Sequence, residues 1–182
     1  MDLCRYWQQN IFLSEAMIAA VDVYYRDDAT AMAGAVVFPG FADSAAYRTY
    51  TLSISVVENY VPGQFYRREL PCILAILKII EEEIDIMIVD GYVNLGKNPG
   101  LGQHLYNILD EKKKVIGIAK KHFRGSDALK VFRGGSMRPL YITAAGIEPS
   151  MAAKLIAQMH GKHRLPTLLR QADSLSRYGE AK

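Results

Sequence analysis

The chain has 182 residues, of which 50% are hydrophobic and 23% are charged, and these values are ordinary for a globular protein. They exclude an intrinsically disordered chain, and a formal charge of only +3 excludes a uniformly basic or acidic one. The length suits one well-filled core, so we expect a single domain over residues 1–182.

The two cysteines, Cys4 and Cys72, are too few for a disulfide framework and do not have metal-ligand spacing. The amino terminus lacks the charged-then-apolar order of a secretory signal. The longest apolar stretch, residues 70–80, is interrupted by Lys78 and is too short to cross a membrane. We therefore expect a cytoplasmic protein without a membrane partner.

The first third of the chain predicts an antiparallel meander of three strands, over residues 16–25, 32–38 and 47–57. Polar residues after Tyr25 and the Pro39-Gly40 pair provide the turns at the ends of the first two strands. One acid, Asp22, lies inside the apolar first strand.

A loop and a long helix are predicted next. Tyr60 lies near the tip of the loop, which Pro62 and Gly63 mark as a turn. Residues 65–83 carry apolar side chains at three- and four-residue steps, which is typical of an amphipathic helix. Glu69 lies in the first turns of this helix.

Residues 84–91 give the clearest buried strand of the sequence. Four apolar residues without interruption, 86–89, indicate a strand that is covered on both faces. Asp90 ends the strand and Gly91 follows it. Open α/β sheets bind their ligands at the carboxyl ends of such strands, so an acid here is a candidate functional residue.

The second half predicts a glycine-rich loop over 92–102, a short helix over 101–109 and a buried strand over 115–119. A strand, a helix and a further strand form a βαβ unit with parallel strands. Residues 112–138 contain six Lys and three Arg against one acid, and 120–138 should form a hairpin or an extended loop. The remaining predicted elements are a strand over 140–143, a helix over 150–159 capped by Ser150, and a helix over 168–177.

These elements predict an α/β fold, with three acids, Asp22, Glu69 and Asp90, on the same side of the sheet. A carboxylate buried without a partner costs several kcal/mol, and a divalent metal would offset that cost. Mg²⁺ prefers oxygen ligands and is often shared between carboxylates and a substrate phosphate, which favours phosphodiester hydrolysis. Each acid could instead be a turn former or a helix cap.

Several other features have an ordinary structural interpretation. Tyr60 could pack on the core, and Lys112 to Lys114 could be a solvated helix end rather than a phosphate contact. The four histidines have no metal-binding spacing, and the sequence contains no nucleotide-binding glycine fingerprint or nucleophile elbow.

A series of short motifs runs from about Asp22 to Asp173. The motifs in chain order are Val21-Asp22-Val23, Tyr60-Val61-Pro62-Gly63 with Arg68-Glu69, Val89-Asp90-Gly91, Leu101-Gly102 with His104, Gly117-Ile118-Ala119-Lys120, Arg164-Leu165-Pro166 and Arg170-Gln171-Ala172-Asp173. Together they resemble one family, the endonuclease V or deoxyinosine 3′ endonuclease family.

The resemblance implies a ribonuclease H-like mixed sheet flanked by helices and a nuclease that requires Mg²⁺, with Mn²⁺ as a possible substitute. Its substrate would be DNA or RNA, cut at the second phosphodiester bond 3′ to a deaminated or modified base. The implied roles are metal ligands (Asp22, Glu69, Asp90), a fourth acid (Asp173), a group facing the scissile phosphate or the water that attacks it (Lys120), a wedge that fills the gap left by the flipped base (Tyr60), and substrate-binding loops (Pro62, Gly63, Gly91, Tyr92).

Some positions depart from the family pattern, so the chain resembles a divergent member. Asn59 stands where the family has Pro, Tyr92 where it has His or Gln, and Ala145-Gly146 where it has Gly-His. An alternative function is a nucleic-acid-binding paralogue with impaired catalysis. A third hypothesis gives the aromatic-rich segments Tyr24-Tyr25 and Tyr47-Tyr50 a role in protein interaction.

Overall fold

The structure is a computed structural model, and it describes residues 17–26, 30–55 and 64–179. The strands are β1 (Met17–Tyr25), β2 (Ala31–Phe38), β3 (Arg48–Ile54), β4 (Ile84–Asp90), β5 (Asn94–Leu95), β6 (Asn98–Pro99), β7 (Lys114–Ala119), β8 (Leu129–Val131) and β9 (Leu140–Ala145). The helices are α1 (Phe65–Leu77), α2 (Leu101–Ile108), α3 (Pro149–Gln158) and α4 (Thr167–Tyr178).

Seven strands form a mixed sheet in the order β3-β2-β1-β4-β7-β9-β8. The first three strands make the predicted antiparallel meander. β7 pairs parallel to β4, as the βαβ pattern predicted. β4 also pairs parallel to β1, which the sequence did not predict. β9 pairs antiparallel to β7 and also to β8, so part of the basic segment forms a hairpin.

Both faces of the central strands are buried, which explains their continuous apolar sequence. Ile18 and Ala20 of β1 pack into a cluster that includes residues of α3 and α4. Ala19 and Val21 point to the opposite face and join a cluster with residues of α1 and α2. The sheet is therefore a middle layer between two pairs of helices, and its strand ends form an accessible edge.

Gly34 allows α4 to lie very close to the sheet. A Cβ atom at this position would be 2.6 Å from the backbone nitrogen of Ser176 and 2.7 Å from Cβ of Leu175. Gly34 pairs with Asp22 across β1 and β2. The missing side chain thus brings the end of α4 next to the acid of β1.

The helix predicted over 65–83 was too long, because α1 ends at Leu77. Beyond it, the side chains of Glu81 and Glu82 turn to β3, where both form ion pairs with Arg48. These contacts favour the turn and bend observed over residues 78–83 over another helical turn.

Two smaller predictions were also wrong. Ser150 does not cap α3, because the helix begins at Pro149, a residue that suits the first helical position, with Glu148 before it. The loop predicted over 92–102 contains the short β5–β6 ladder. Within the described ranges, no helix combines the length and apolar character needed to cross a membrane.

Candidate active site

Three polar side chains meet at one edge of the sheet because β1, β4 and β7 are parallel. Val21 pairs with Val89 and Asp90 pairs with Ile118. Asp22 of β1 and Asp90 of β4 are therefore neighbours, and Lys120 follows directly after β7. The strand register alone brings together residues that are far apart in the sequence.

Lys120 and Asp90 form an ion pair, with 2.7 Å between Nζ and Oδ2. Burial acts to lower the pKa of Lys120, but the charges of Asp90, Asp22 and Asp173 outweigh it and the pKa is raised. Lys120 is therefore a fixed positive charge among acids, a suitable partner for an anionic group that approaches this edge.

Asp22 is held by Ser176 of α4, whose hydroxyl donates a hydrogen bond to Oδ2. Burial raises the pKa of Asp22 to about 6, against the effect of this hydrogen bond, and the charges of Asp90 and Asp173 add to the rise. The carboxylates at this edge repel one another, so a nearby cation would stabilise their ionised forms.

Glu69 reaches the same edge from α1, on the other face of the sheet. Its side chain is buried and accepts a hydrogen bond from the hydroxyl of Tyr25, with 2.7 Å between the oxygens. Burial raises the pKa of Glu69 to about 8, the Tyr25 hydrogen bond opposes the rise, and the charges of Asp22 and Asp90 contribute to it. Arg68 lies 3.6 Å above the centre of the Tyr25 ring and so holds this tyrosine in place.

A small cleft of about 30 Å³ opens between the strand ends and α4. Its polar lining consists of Asp22, Asp90, Lys120 and Asp173. Asp173 is oriented by Arg177, which donates hydrogen bonds of 3.0 and 3.2 Å to the two carboxylate oxygens. The volume is enough for an ion or one or two water molecules but not for a base.

The donor chemistry fits a divalent metal bound partly by solvent. Across residues 17–26, 30–55 and 64–179, no three His, Cys, Asp or Glu side chains are grouped closely enough to form a ready-made metal cage. Each of the four acids instead has a protein partner, which is Ser176, Tyr25, Lys120 or Arg177. Mg²⁺ commonly takes one or two carboxylates and completes its shell with water and phosphate oxygens, so a closed cage is not required.

Two residues of this site, Tyr25 and Ser176, were missed in the sequence. Tyr25 looks like an ordinary strand aromatic, and its contact with Glu69 depends on how α1 crosses the sheet. Ser176 is completely buried on the apolar stripe of α4. A serine on such a stripe is a weak signal, and its partner could not be named without the fold.

The predicted substrate-binding residues have different outcomes. Gly91 has a φ of +150° and donates a backbone hydrogen bond to Ile118. The hydroxyl of Tyr92 donates to the carbonyl of Lys121 and accepts from the amide of Phe123, so it fastens the loop after β4 to the loop after β7. The remaining three, Tyr60, Pro62 and Gly63, lie outside the described residues.

The sheet order, with Asp22 inside β1 beside Asp90 at the end of β4, is that of a ribonuclease H-like fold. The model of the family Endonuclease V matches residues 5–145. The chain therefore belongs to the endonuclease V family, whose members are nucleases that hydrolyse phosphodiester bonds.

One relative supports this assignment by sequence and another by structure. An endonuclease V of Pyrococcus abyssi is 37% identical over 110 residues, which are 60% of this chain and 54% of that protein. The chain thus aligns with about half the length of this relative. The crystal structure of endonuclease V of Streptomyces avermitilis has a TM-score of 0.76 at 24% identity, and the match covers 91% of this chain and 82% of that one.

A further structure similar to this chain is endonuclease V of Ciona intestinalis in complex with a 24mer DNA containing an inosine followed by a ribo-adenosine. It has a TM-score of 0.76 at 15% identity, and the match covers 97% of this chain and 96% of that one. At these identities, the two solved structures establish the shared fold.

Proposed function

We propose that this chain is a metal-dependent endonuclease that hydrolyses a phosphodiester bond 3′ to deoxyinosine or another deaminated or modified base, in DNA repair or RNA processing. The observation that carries the proposal is the position of Asp22, Asp90 and Lys120 side by side at one edge of the sheet, with Glu69 near enough for the charges of both aspartates to raise its pKa. The inosine-containing DNA bound by the Ciona intestinalis relative supports the choice of substrate.

In this proposal, Asp22, Glu69 and Asp90 would hold Mg²⁺ or Mn²⁺. With the ion bound, the negative charge that develops on the phosphate oxygens would be neutralised. Ser176 and Tyr25 fix the orientation of two of the carboxylates through their hydroxyl groups. Such supporting hydrogen bonds keep ligand side chains in the geometry that the ion needs.

Lys120 and Asp173 act on the substrate side of the cleft. When a phosphate enters, Nζ of Lys120 exchanges its contact with Asp90 for a charge-assisted hydrogen bond to a phosphate oxygen. The carboxylate of Asp173, held by Arg177, accepts a hydrogen bond from the attacking water and orients it.

The test is an incubation with single- and double-stranded DNA and RNA that contain inosine, with Mg²⁺, Mn²⁺ or chelator, followed by mapping of the cut site. We expect metal-dependent nicking on the 3′ side of inosine. A strand of the same sequence that lacks inosine should be cut little. Absence of nicking on all substrates with both metals would refute the proposal. Binding that persists unchanged in chelator would then favour the impaired paralogue.

Tyr25→Phe provides a separate prediction about metal binding. The change removes the hydrogen bond to Glu69 and keeps the ring under Arg68. We expect the affinity for Mn²⁺ to fall by about 10-fold, because supporting hydrogen bonds to ligands typically contribute 10- to 100-fold. Titration calorimetry would measure this, with Tyr24→Phe as the matched control.

We also propose a cytoplasmic location. Cys72 is a free thiol buried in α1, and burial raises its pKa to about 11, so it is a poor nucleophile. A thiol that remains reduced is typical of that compartment.

A further inference from the structure

The segment after Lys120 returns to the sheet as β8 and leaves a group of exposed or half-buried aromatic and basic side chains at the edge of the sheet that carries the candidate active site. Its members are Lys121, His122, Phe123, Arg124, Lys130, Phe132 and Tyr141, which we call the β8–β9 patch. Within the described residues, Lys121, Arg124 and Lys130 form no ion pair. Their charges are therefore available to an anionic partner.

Strand alternation, continued one residue past β8, puts Lys130 and Phe132 on one face of the sheet. Val131 and Arg133 are buried toward α3 and the segment that leads to α4. Lys130 and Phe132 therefore point to the opposite face. Phe132 is 62% exposed, so much of its ring is accessible to a partner.

The same face of β9 carries Tyr141, whose ring lies 5.3 Å from that of His122 at an interplanar angle of 51°. Phe123 is 41% exposed and lies 6.1 Å from the ring of Tyr92. The patch thus presents several rings interleaved with cations. This combination is the usual composition of surfaces that bind single-stranded nucleic acid.

The register connects the patch to the edge of the sheet that carries the site. Ala119, Tyr141 and Lys130 form one row across β7, β9 and β8, on the face from which Glu69 enters, whereas Asp90 and the cleft face α4. Neighbouring strands are about 4.8 Å apart, so three strand spacings from β4 to β8 span about 14 Å. A nucleic-acid strand advances about 3.4 Å per nucleotide when stacked, so about four nucleotides span the strand ends from β4 to β8.

We propose that the β8–β9 patch binds the single-stranded flank of the substrate, with bases stacked on Phe132 and Tyr141 and phosphates held by Lys121, Arg124 and Lys130. The inference rests on the proposed function and deepens it, because it specifies a substrate with unpaired nucleotides on one side of the cut. Exposed rings on a sheet stack on unpaired bases, whereas bases inside a duplex are already stacked on each other.

The test measures binding in chelator, where no cleavage occurs. The probe is a labelled single strand of about twelve nucleotides, within the range of site sizes for such surfaces, and its complementary duplex is the comparison. Phe132→Ala should weaken binding to the single strand about 10-fold or more, because alanine substitution of a stacking ring has effects of this size. Phe132→Trp should retain it.

The matched aromatic control is Tyr47→Ala, because Tyr47 is 64% exposed and precedes β3 at the far edge of the sheet. Lys130→Ala should reduce the slope of log affinity against log salt by about 0.7, the value for one phosphate contact on a single strand. Lys154→Ala on α3 is its control and should leave the slope unchanged.

Equal affinities of Phe132→Ala, Tyr47→Ala and the unchanged protein would overturn the patch proposal, as would equal loss on single strand and duplex. Because chelator removes the chemistry, this result is independent of the nicking assay. Nicking at inosine with no effect of Phe132→Ala on binding would refute the patch proposal and leave the proposed function standing. Loss of binding in Phe132→Ala without nicking on any substrate would support the patch and refute the proposed function.

Discussion

Asp90→Asn is expected to reduce the rate of metal-dependent cleavage by about 10³-fold or more. When catalytic residues act together as a unit, removal of one of them abolishes most of the rate enhancement. The change replaces the carboxylate at the end of β4 with a neutral amide of the same shape. It also removes the charge partner of Lys120. Single-turnover cleavage of inosine-containing strands would measure the loss.

Asp85→Asn is the matched control for this experiment. Asp85 is an exposed acid at the other end of the same strand, and its change should leave the rate within about twofold, as surface substitutions usually do little. A variant at position 90 that still cuts at the normal rate would show that this carboxylate has no part in the reaction.

Glu69→Gln is expected to stabilise the metal-free protein at high pH. Because burial raises the pKa of Glu69 from 4.5 to about 8, the folded protein binds this proton more tightly than the unfolded chain. The protonated carboxyl therefore stabilises the fold below about pH 4.5, and this stabilisation is lost as the pH rises toward 8. Each pKa unit corresponds to about 1.36 kcal/mol, and after local relaxation we expect the variant to be more stable by on the order of 3 kcal/mol at about pH 9.

The measurement is the free energy of unfolding in chelator between about pH 5 and about pH 9, the window set by the shifted pKa. Glu83→Gln, at an exposed position, should keep the pH dependence of the unchanged protein. Added Mn²⁺ should stabilise the unchanged protein more than the Glu69 variant, because a ligand stabilises the state that binds it. Parallel pH curves for both variants would contradict the assignment of Glu69 as a buried, destabilising acid.

Hydrophobic pattern was sufficient to predict the core of the fold. The continuous apolar run of β4, the alternation in the meander and the helix between β4 and β7 determined the mixed sheet and its parallel centre. Asp90 could be placed at a ligand-binding edge because it ends a buried central strand, whereas the parallel pairing of β1 with β4, which brings Asp22 beside it, was not predicted. Ser150 and the end of α1 were misplaced because a favoured proline and the ion pairs of Arg48 decided those boundaries.

The contacts that hold the candidate site could not be predicted, because they join elements distant in sequence. Ser176 reaches Asp22 across 154 residues, and the approach depends on the missing side chain of Gly34. Tyr25 meets Glu69 over the end of the sheet. Arg164 donates hydrogen bonds to the carbonyls of Lys120 and Pro139, which orients the backbone beside the cleft.

The two hydrogen bonds of the Tyr92 hydroxyl also have a dynamic consequence. Because one phenol oxygen serves both a carbonyl and an amide of the neighbouring loop, neither loop can swing outward without breaking both bonds. The wall beside the cleft should therefore move as a unit and be preorganised before a ligand arrives. A ligand that inserted between the loops would have to form hydrogen bonds to the carbonyl of Lys121 and the amide of Phe123 in place of Tyr92. A ligand with polar groups at that spacing would therefore bind better than an apolar one.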